Sequence, residues 1–477
     1  MLVFSSTGDS KSQPRRRLQF SRKQVVVLLL LLATTFSVRI LTFMFMRAHL
    51  HDPSWFQTGS YGKFDRQARD IIDGRQNLFL ITDPTRTDLV QYPPAYPWLV
   101  ALIYKASGVY TAYRVQIVQW LVDLFVSMIL ITGIAVTAFG WRAAVAASFL
   151  AGLSPLLAMY GAWPSADTPT MWFVLGGNWA LLVAAKRSNL WFAFIAGLLL
   201  GMACWFRVNP LYLTVGWGFV LAVFLKGSLK WRLAMSGAVV LGTVLLVAPI
   251  VIRNYLSFPD FTPTGGTIGT NLWEGLGETE LGRQHGFMFG DDKLVERERQ
   301  RMGLPADFPL EPQWPDGIRR DNERIRESLA FIKQHPWWYA GVMLKRMWGM
   351  LKVAGDPLPY YASNGINVTS RKCLPENWQG GVVGLVANLL GMIQSVVRYL
   401  LLPLVVLGIY VACRLQLTTT VVLVVTILYY LIPGTFGHTE MRYMLPMHAL
   451  LIIFGGVGLD WLLLKTNAVI FRSKFDY

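Results

Sequence analysis

The chain has 477 residues, 53% of them hydrophobic and only 15% charged, with a mean hydropathy of +0.41. Soluble globular chains carry about 25% charged residues, so the composition excludes an ordinary soluble domain and describes a chain whose solvent is mostly lipid. A net charge of +16 would point to nucleic acid in a soluble protein. Here the lysines and arginines flank apolar runs, where they orient helices and meet anionic headgroups, and no nucleic-acid partner is expected.

The first apolar run, 25–46, is too long for a signal h-region and long enough to cross a bilayer, so it is expected to remain as a helix. Further spans are expected at 114–139, 143–160, 168–185, 189–206, 210–225, 232–252, 396–413, 416–432 and 443–464, about ten in all. The run 94–104 is apolar but short, opening on Tyr92-Pro93-Pro94 and closing at Lys105, and reads as an interfacial or re-entrant helix. Leaving it out of the count places residues 11–23, Arg142, Lys186-Arg187, Lys226, Lys230, Arg232, Arg414 and the tail cations inside. Counting it would put Lys226, Lys230 and Arg232 outside in a short loop, against the positive-inside bias.

The expected fold is therefore an all-α polytopic membrane protein with interfacial helices in two large extracytoplasmic loops. Its parts are a basic cytoplasmic N-terminus (1–23), a transmembrane module (24–252) with an outer loop (47–113), an extracytoplasmic segment (253–395), C-terminal transmembrane helices (396–464) and a cytoplasmic tail (465–477). Both termini then face the cytoplasm of a cell (inner or plasma) membrane. Helical pieces are expected in the loops at 64–74, 317–333 and 336–352. The last mixes Trp337, Trp338 and Trp348 with Lys345, Arg346 and Lys352, which suits the headgroup region.

The outer segments hold the residues that could carry chemistry. Asp52, Asp65, Asp70, Asp73, Asp83 and Asp88 share the first loop with several arginines, so a general base and a phosphate-binding cation could both come from it. Asp167, in Trp163-Pro164-Ser165-Ala166-Asp167-Thr168-Pro169, reads as the N-cap of the fourth span, a duty compatible with a site role. Arg207, Arg253 and Arg442 lie at outer helix ends, against the charge bias, and a planar guanidinium suits phosphate bidentately. Within the membrane, Asp123 and Arg39 are each costly and must face protein or water. Asp123 reads as a structural polar contact, with a proton site as the alternative. His49 and His51 read as interfacial rather than as metal ligands.

In their order along the chain these residues resemble the GT-C superfamily of membrane glycosyltransferases, in its protein O-mannosyltransferase and aminoarabinose-transferase-like branch. The resemblance is carried by Tyr61-Gly62-Lys63-Phe64-Asp65-Arg66-Gln67-Ala68, Tyr92-Pro93-Pro94-Ala95-Tyr96-Pro97, Leu153-Ser154-Pro155 leading to Asp167, Arg207-Val208-Asn209-Pro210, Ala248-Pro249 with Arg253-Asn254-Tyr255, and Arg442-Tyr443-Met444-Leu445-Pro446. It implies transfer of a hexose or pentose from a polyprenyl-phosphate donor to a glycan, lipid or protein acceptor at the extracytoplasmic face. An outer-loop carboxylate among Asp65, Asp52 and Asp167 would act as base. Arg207, Arg253, Arg442 and Tyr92 would hold the lipid phosphate. No cofactor is expected; arginine-rich loops without a paired-acid DxD favour a site without metal, with a divalent metal as the alternative. The family's catalytic Asp commonly lies eight residues before the alanine that Ala68 matches, and this chain has Ser60 there. The base is then shifted to a neighbouring acid, or the protein is an inactive relative that binds a lipid carrier. A transporter or flippase is the third reading, with Asp123 as its support.

Overall fold

The computed structural model describes residues 22–48, 50, 58–77, 81, 83–90, 92–260, 262, 265, 267–351 and 376–472. Asp52, His49 and His51 lie outside them, as does the side chain of Ser60. Helices make up the described architecture: α1 (Arg22–Ala48), α2 (Thr58–Ile72), α3 (Ala95–Ser107), α4 (Ala112–Phe139), α5 (Trp141–Leu153), α6 (Pro155–Gly161), α7 (Asp167–Arg187), α8 (Leu190–Phe206), α9 (Leu213–Phe224) and α10 (Leu229–Ser257). There follow α11 (Ile268–Gly277), α12 (Glu280–Gln284), α13 (Asp291–Arg301), α14 (Gly317–Gln334), α15 (Pro336–Leu351), α16 (Gly381–Leu415), α17 (Leu417–Leu431) and α18 (Leu445–Arg472).

Every apolar run expected to span is helical. Among the described residues, length and apolarity single out six helices able to cross a membrane, α1, α4, α10, α16, α17 and α18, or seven if the bent pair α5 and α6 is one span, and do not confirm the count of ten. The 143–160 run breaks into α5 and α6, which bend by 63°. Ser154 causes the break: its hydroxyl accepts the Leu157 N–H and Pro155 starts the new helix, where a missing N–H costs nothing. α8 and α9 are apolar but have only 17 and 12 residues. The short helix α3 has 13 residues, or about 20 Å at 1.5 Å per residue, against a hydrocarbon core of about 30 Å. At its other extreme, α16 starts at Gly381 and runs 35 residues, so 381–395 continue a span that was expected to begin at 396.

Lipid gives helices no hydrophobic reason to associate, so they pack by close approach. α16 and α18 meet through Gly408 and Gly458, where a Cβ would lie 1.8 Å from the Phe454 carbonyl oxygen and 2.2 Å from that of Leu404. Several polar side chains inside the bundle are paired. Trp217 donates to Thr426 at 2.9 Å, and Thr426 to Asn178 at 3.0 Å, joining α9, α17 and α7. The two intramembrane charges find each other. Arg39 of α1 is ion-paired with Asp123 of α4, at 0% and 1% side-chain exposure. Trp172 donates to the Asp123 carboxylate at 2.8 Å and Arg39 to the Leu157 carbonyl at 3.1 Å. Asp123 is thus built into the packing of α1, α4, α6 and α7.

The polar segments before α4 and after α10 gather at one end of the bundle and touch. Arg66 pairs with Glu311 at 3.5 Å, the Gly317 N–H donates to Thr87 at 3.2 Å, and Ile81, Leu89, Val90, Phe258 and Ile318 form a small apolar cluster between them. Within the second segment, the Asp321 carboxylate accepts the Gly269 and Thr270 N–H groups at 2.9 Å each, satisfying free donors at the start of α11. Glu298 of α13 clasps Arg320 and Arg324 of α14. α15 buries Tyr339, Arg346 and Met350 and exposes Trp337, Leu344 and Trp348 on its other side, the two-faced character expected of an interfacial helix.

Candidate active site

Asp167 is the first residue of α7, and the capping position belongs to Ala166, whose side chain cannot cap. The carboxylate is therefore not the N-cap expected from the sequence. It remains in the first turn, favoured by the helix dipole, and turns to a cation instead. Arg207 follows the last residue of α8 in extended conformation, and its Nη2 donates to Asp167 Oδ2 at 3.0 Å. Both are sequestered, with side-chain exposures of 15% and 3%. Tyr443 stands beyond Arg207, its ring 5.2 Å from that guanidinium and 5.3 Å from that of Arg442. A ring face stabilises a neighbouring cation, so one tyrosine seats two arginines from different parts of the chain.

Arg442 carries its own counter-ion. Its Nη2 donates to Glu440 Oε1 at 2.9 Å. Glu440 also receives His438 Nε2 at 3.2 Å, and His438 Nδ1 meets Glu278, the C-cap of α11. Glu278 in turn accepts from Arg346 of α15 at 3.0 Å. The result is an alternating file, Arg346, Glu278, His438, Glu440, Arg442, running from the polar segment to the bundle end. Burial opposes charge on both middle groups, but their partners prevail. Glu278 and Glu440 hold the imidazolium, pushed up to about 10, while Arg442 and His438 hold Glu440 down to about 2. Glu274, one helical turn before Glu278, is pushed up to about 7, chiefly by burial.

A second polar group lies on α2 and α3. Asp65 accepts Arg69 Nε at 2.9 Å and the Tyr104 hydroxyl at 2.5 Å, and the hydroxyls of Tyr61 and Tyr104 are 2.7 Å apart. Since Tyr104 gives its proton to Asp65, Tyr61 donates to Tyr104. Burial, then the bond to Asp65, pushes the Tyr104 hydroxyl above its ordinary range. The Asp65 side chain keeps 28% exposure, far more than Asp167.

Aromatic packing joins the two groups. Phe64 sits 4.8 Å from both Tyr92 and Tyr96, and the cluster that contains them also packs Ala166 and Phe206, the neighbours of Asp167 and Arg207. Tyr92 lies within electrostatic reach of Arg207. The structure thus brings Asp167, Arg207, Arg442 and Tyr92 together, with Asp65 on the adjoining wall. Arg253 is buried and bonds Asn254 Oδ1 at 2.8 and 3.1 Å. Among the described residues, no three His, Cys, Asp or Glu side chains converge as a metal site.

Tyr443, Glu440, His438, Glu278 and Tyr104 were not singled out by sequence. One signal was present: His438, Glu440 and Arg442 alternate in Gly437-His438-Thr439-Glu440-Met441-Arg442. Alternation in extended backbone puts side chains on one face, and Glu440 is extended, at φ −117° and ψ 150°.

The described residues form a multi-pass helical bundle that gathers carboxylates, arginines and tyrosines at one end under two packed polar segments. Residues 91–252, from just before α3 through most of α10, match the family model of dolichyl-phosphate-mannose-protein mannosyltransferase. Among solved structures the chain is similar to the Archaeoglobus fulgidus oligosaccharyltransferase in its apo form, at 14% identity and a TM-score of 0.48, covering 95% of this chain and 52% of that one. It is similar to the oligosaccharyltransferase AglB of Archaeoglobus fulgidus in complex with an inhibitory peptide and a dolichol-phosphate, at 12% identity and 0.49, covering 94% and 51%. It is also similar to ArnT of Cupriavidus metallidurans bound to undecaprenyl phosphate, at 13% identity and 0.35, covering 91% and 77%. The chain spans about half the length of the archaeal oligosaccharyltransferase. No curated protein matches it in sequence.

Proposed function

We propose that the protein is a membrane glycosyltransferase that moves a sugar from a polyprenyl-phosphate donor to an acceptor at the extracytoplasmic face, in the cell membrane with both termini cytoplasmic. The observation that carries this reading is the seating of Arg207 and Arg442 on Tyr443 beside Asp167, at the end of an apolar bundle. A polyprenyl tail belongs in lipid and its phosphate at the interface, where buried guanidinium groups offer paired, charge-assisted hydrogen bonds. The name of the matching family, which describes a dolichyl-phosphate-linked sugar donor, agrees with that chemistry.

The roles divide by accessibility. Asp65, part-exposed on the wall of the site, is the proposed base that takes the acceptor's proton within hydrogen-bond reach. Arg207 and Arg442 stabilise the negative charge that grows on the departing phosphate as the sugar leaves. Asp167 holds Arg207 in place, and Tyr92 stands within electrostatic reach of Arg207. No metal is assigned a part. Asp52 keeps its candidacy as base from the sequence alone.

The experiment is transfer of labelled sugar from a polyprenyl-phosphate donor in proteoliposomes, comparing Asp65→Asn and Asp167→Asn. Loss of a general base costs roughly 10²–10⁴ in rate, so D65N is expected to lose turnover by that factor while still binding donor. Wild-type turnover in D65N would remove Asp65 from the role. Lost turnover with normal donor binding in D167N would transfer the role to Asp167.

A further inference from the structure

We propose that His438 is a positioning residue, clamped between Glu278 and Glu440 so that the Glu440 carboxylate fixes the Arg442 guanidinium in the site. The inference rests on the reading of Arg442 as a ligand of the lipid phosphate, and adds to it a support that begins in the polar segment.

The geometry is specific. His438 uses both ring nitrogens, Nδ1 toward Glu278 and Nε2 toward Glu440 at 3.2 Å, and its side chain is 5% exposed. With both nitrogens donating, the ring carries a positive charge between two carboxylates. Glu278 is fixed in turn by Arg346, whose other bonds go to backbone carbonyls of Gly275 and Thr435 and to the Tyr339 hydroxyl. Residues from α11, α15 and the α17–α18 connection therefore meet at one imidazole. The charged or titratable groups about it are Glu274 from α11 and Glu278 at its C-cap, Arg346 from α15, and Glu440, Arg442 and Tyr443 from its own connection. Phe289 closes the site with its ring 5.4 Å from the imidazole.

Two consequences follow for Arg442. Glu440 cannot rotate away from it without breaking the bond to His438, so the guanidinium is held before any ligand arrives. Holding a cation in advance reduces the ordering cost of binding an anion. A neutral side chain at 438 would leave Glu440 free to swing and Arg442 free to follow.

The test uses the full chain in detergent micelles, with undecaprenyl phosphate as the probe, and compares wild type, Arg442→Ala, His438→Gln and the double variant. Arg442→Ala is expected to weaken binding by tenfold or more, and His438→Gln by about three- to tenfold. The double variant is expected to bind no worse than Arg442→Ala alone, because a residue that acts through another adds nothing once the other is gone. Normal binding by H438Q beside a weakened R442A would overturn the inference and leave the phosphate reading standing. So would strictly additive losses. Normal binding by R442A would overturn the phosphate reading itself, and this inference with it. If H438Q does not fold, Glu278→Gln loosens the same clamp from its far side and must show the same non-additivity with Arg442→Ala.

Discussion

Arg207 and Asp167 meet at 3.0 Å although forty residues and two helices separate them in the chain. The contact ties the exit of α8 to the entry of α7. It also means that one arginine of the site is already paired before a ligand arrives.

That pairing gives opposite expectations for stability and binding. Asp167→Asn leaves a buried guanidinium without its counter-charge, and breaking a buried pair costs about 3–5 kcal/mol, so the free protein should melt earlier. An added polyprenyl phosphate replaces the missing anion. Its stabilisation should be larger in D167N than in wild type, measured as the rise in melting temperature in detergent. Equal shifts would argue that Arg207 does not meet the phosphate.

The Arg39–Asp123 pair is fully enclosed, so its loss is expected to be a matter of stability rather than transport. Asp123→Ala alone should destabilise by about 3–5 kcal/mol, whereas Arg39→Met with Asp123→Leu should come close to neutral, since two apolar groups need no partners. Thermal unfolding of the single and double variants decides it. Equal losses in both would contradict the account.

Close packing of α16 on α18 makes a sharper demand. At Gly408 a methyl group would meet the Phe454 carbonyl at 1.8 Å, while at Gly237 on α10 nothing lies within 4 Å. Overpacking costs about 1–3 kcal/mol or more, so Gly408→Ala should lower the melting temperature and Gly237→Ala should leave it within error. Equal behaviour of the two would show that the helices can separate at no cost.

The charged file at the bundle end gives a pH signature. Glu440 is lowered to about 2, so its stabilisation is present above the ordinary 4.5 and is lost as pH falls through 2. His438 is raised to about 10, so its contribution is full below 6.5 and is lost as pH rises through 10. Glu274 is raised to about 7: the folded state holds the proton longer, and stability falls as pH rises from 4.5 to 7. Together these place maximum stability on the acid side of neutrality, between roughly pH 4.5 and 6.5. Glu274→Gln should flatten the decline between 4.5 and 7, and His438→Gln the decline above 6.5. A melting temperature that rises from pH 5 to 8 would refute the assignment.

The helical runs were legible because their apolar residues must face lipid and their backbone must bond itself, whatever surrounds them. The number of crossings was less legible. Breaks such as Ser154-Pro155, and the early start of α16 at Gly381, depend on local capping and on neighbours that a hydropathy window averages away. Asp167, Arg207 and Arg442 could be picked out because charge at these helix ends is costly enough to require a reason.

Sequence by itself determined that this is a helical membrane protein with two large polar segments, because periodicity, apolarity and charge bias are properties of short stretches. Tertiary structure alone decided which charges are partners: Arg39 with Asp123, Arg207 with Asp167, Arg442 with Glu440 and through it with His438, Glu278 and Arg346. An ion pair needs its two groups within about 4 Å. Distance along a chain of this length says nothing about that, and only the folding of helix ends onto one another does.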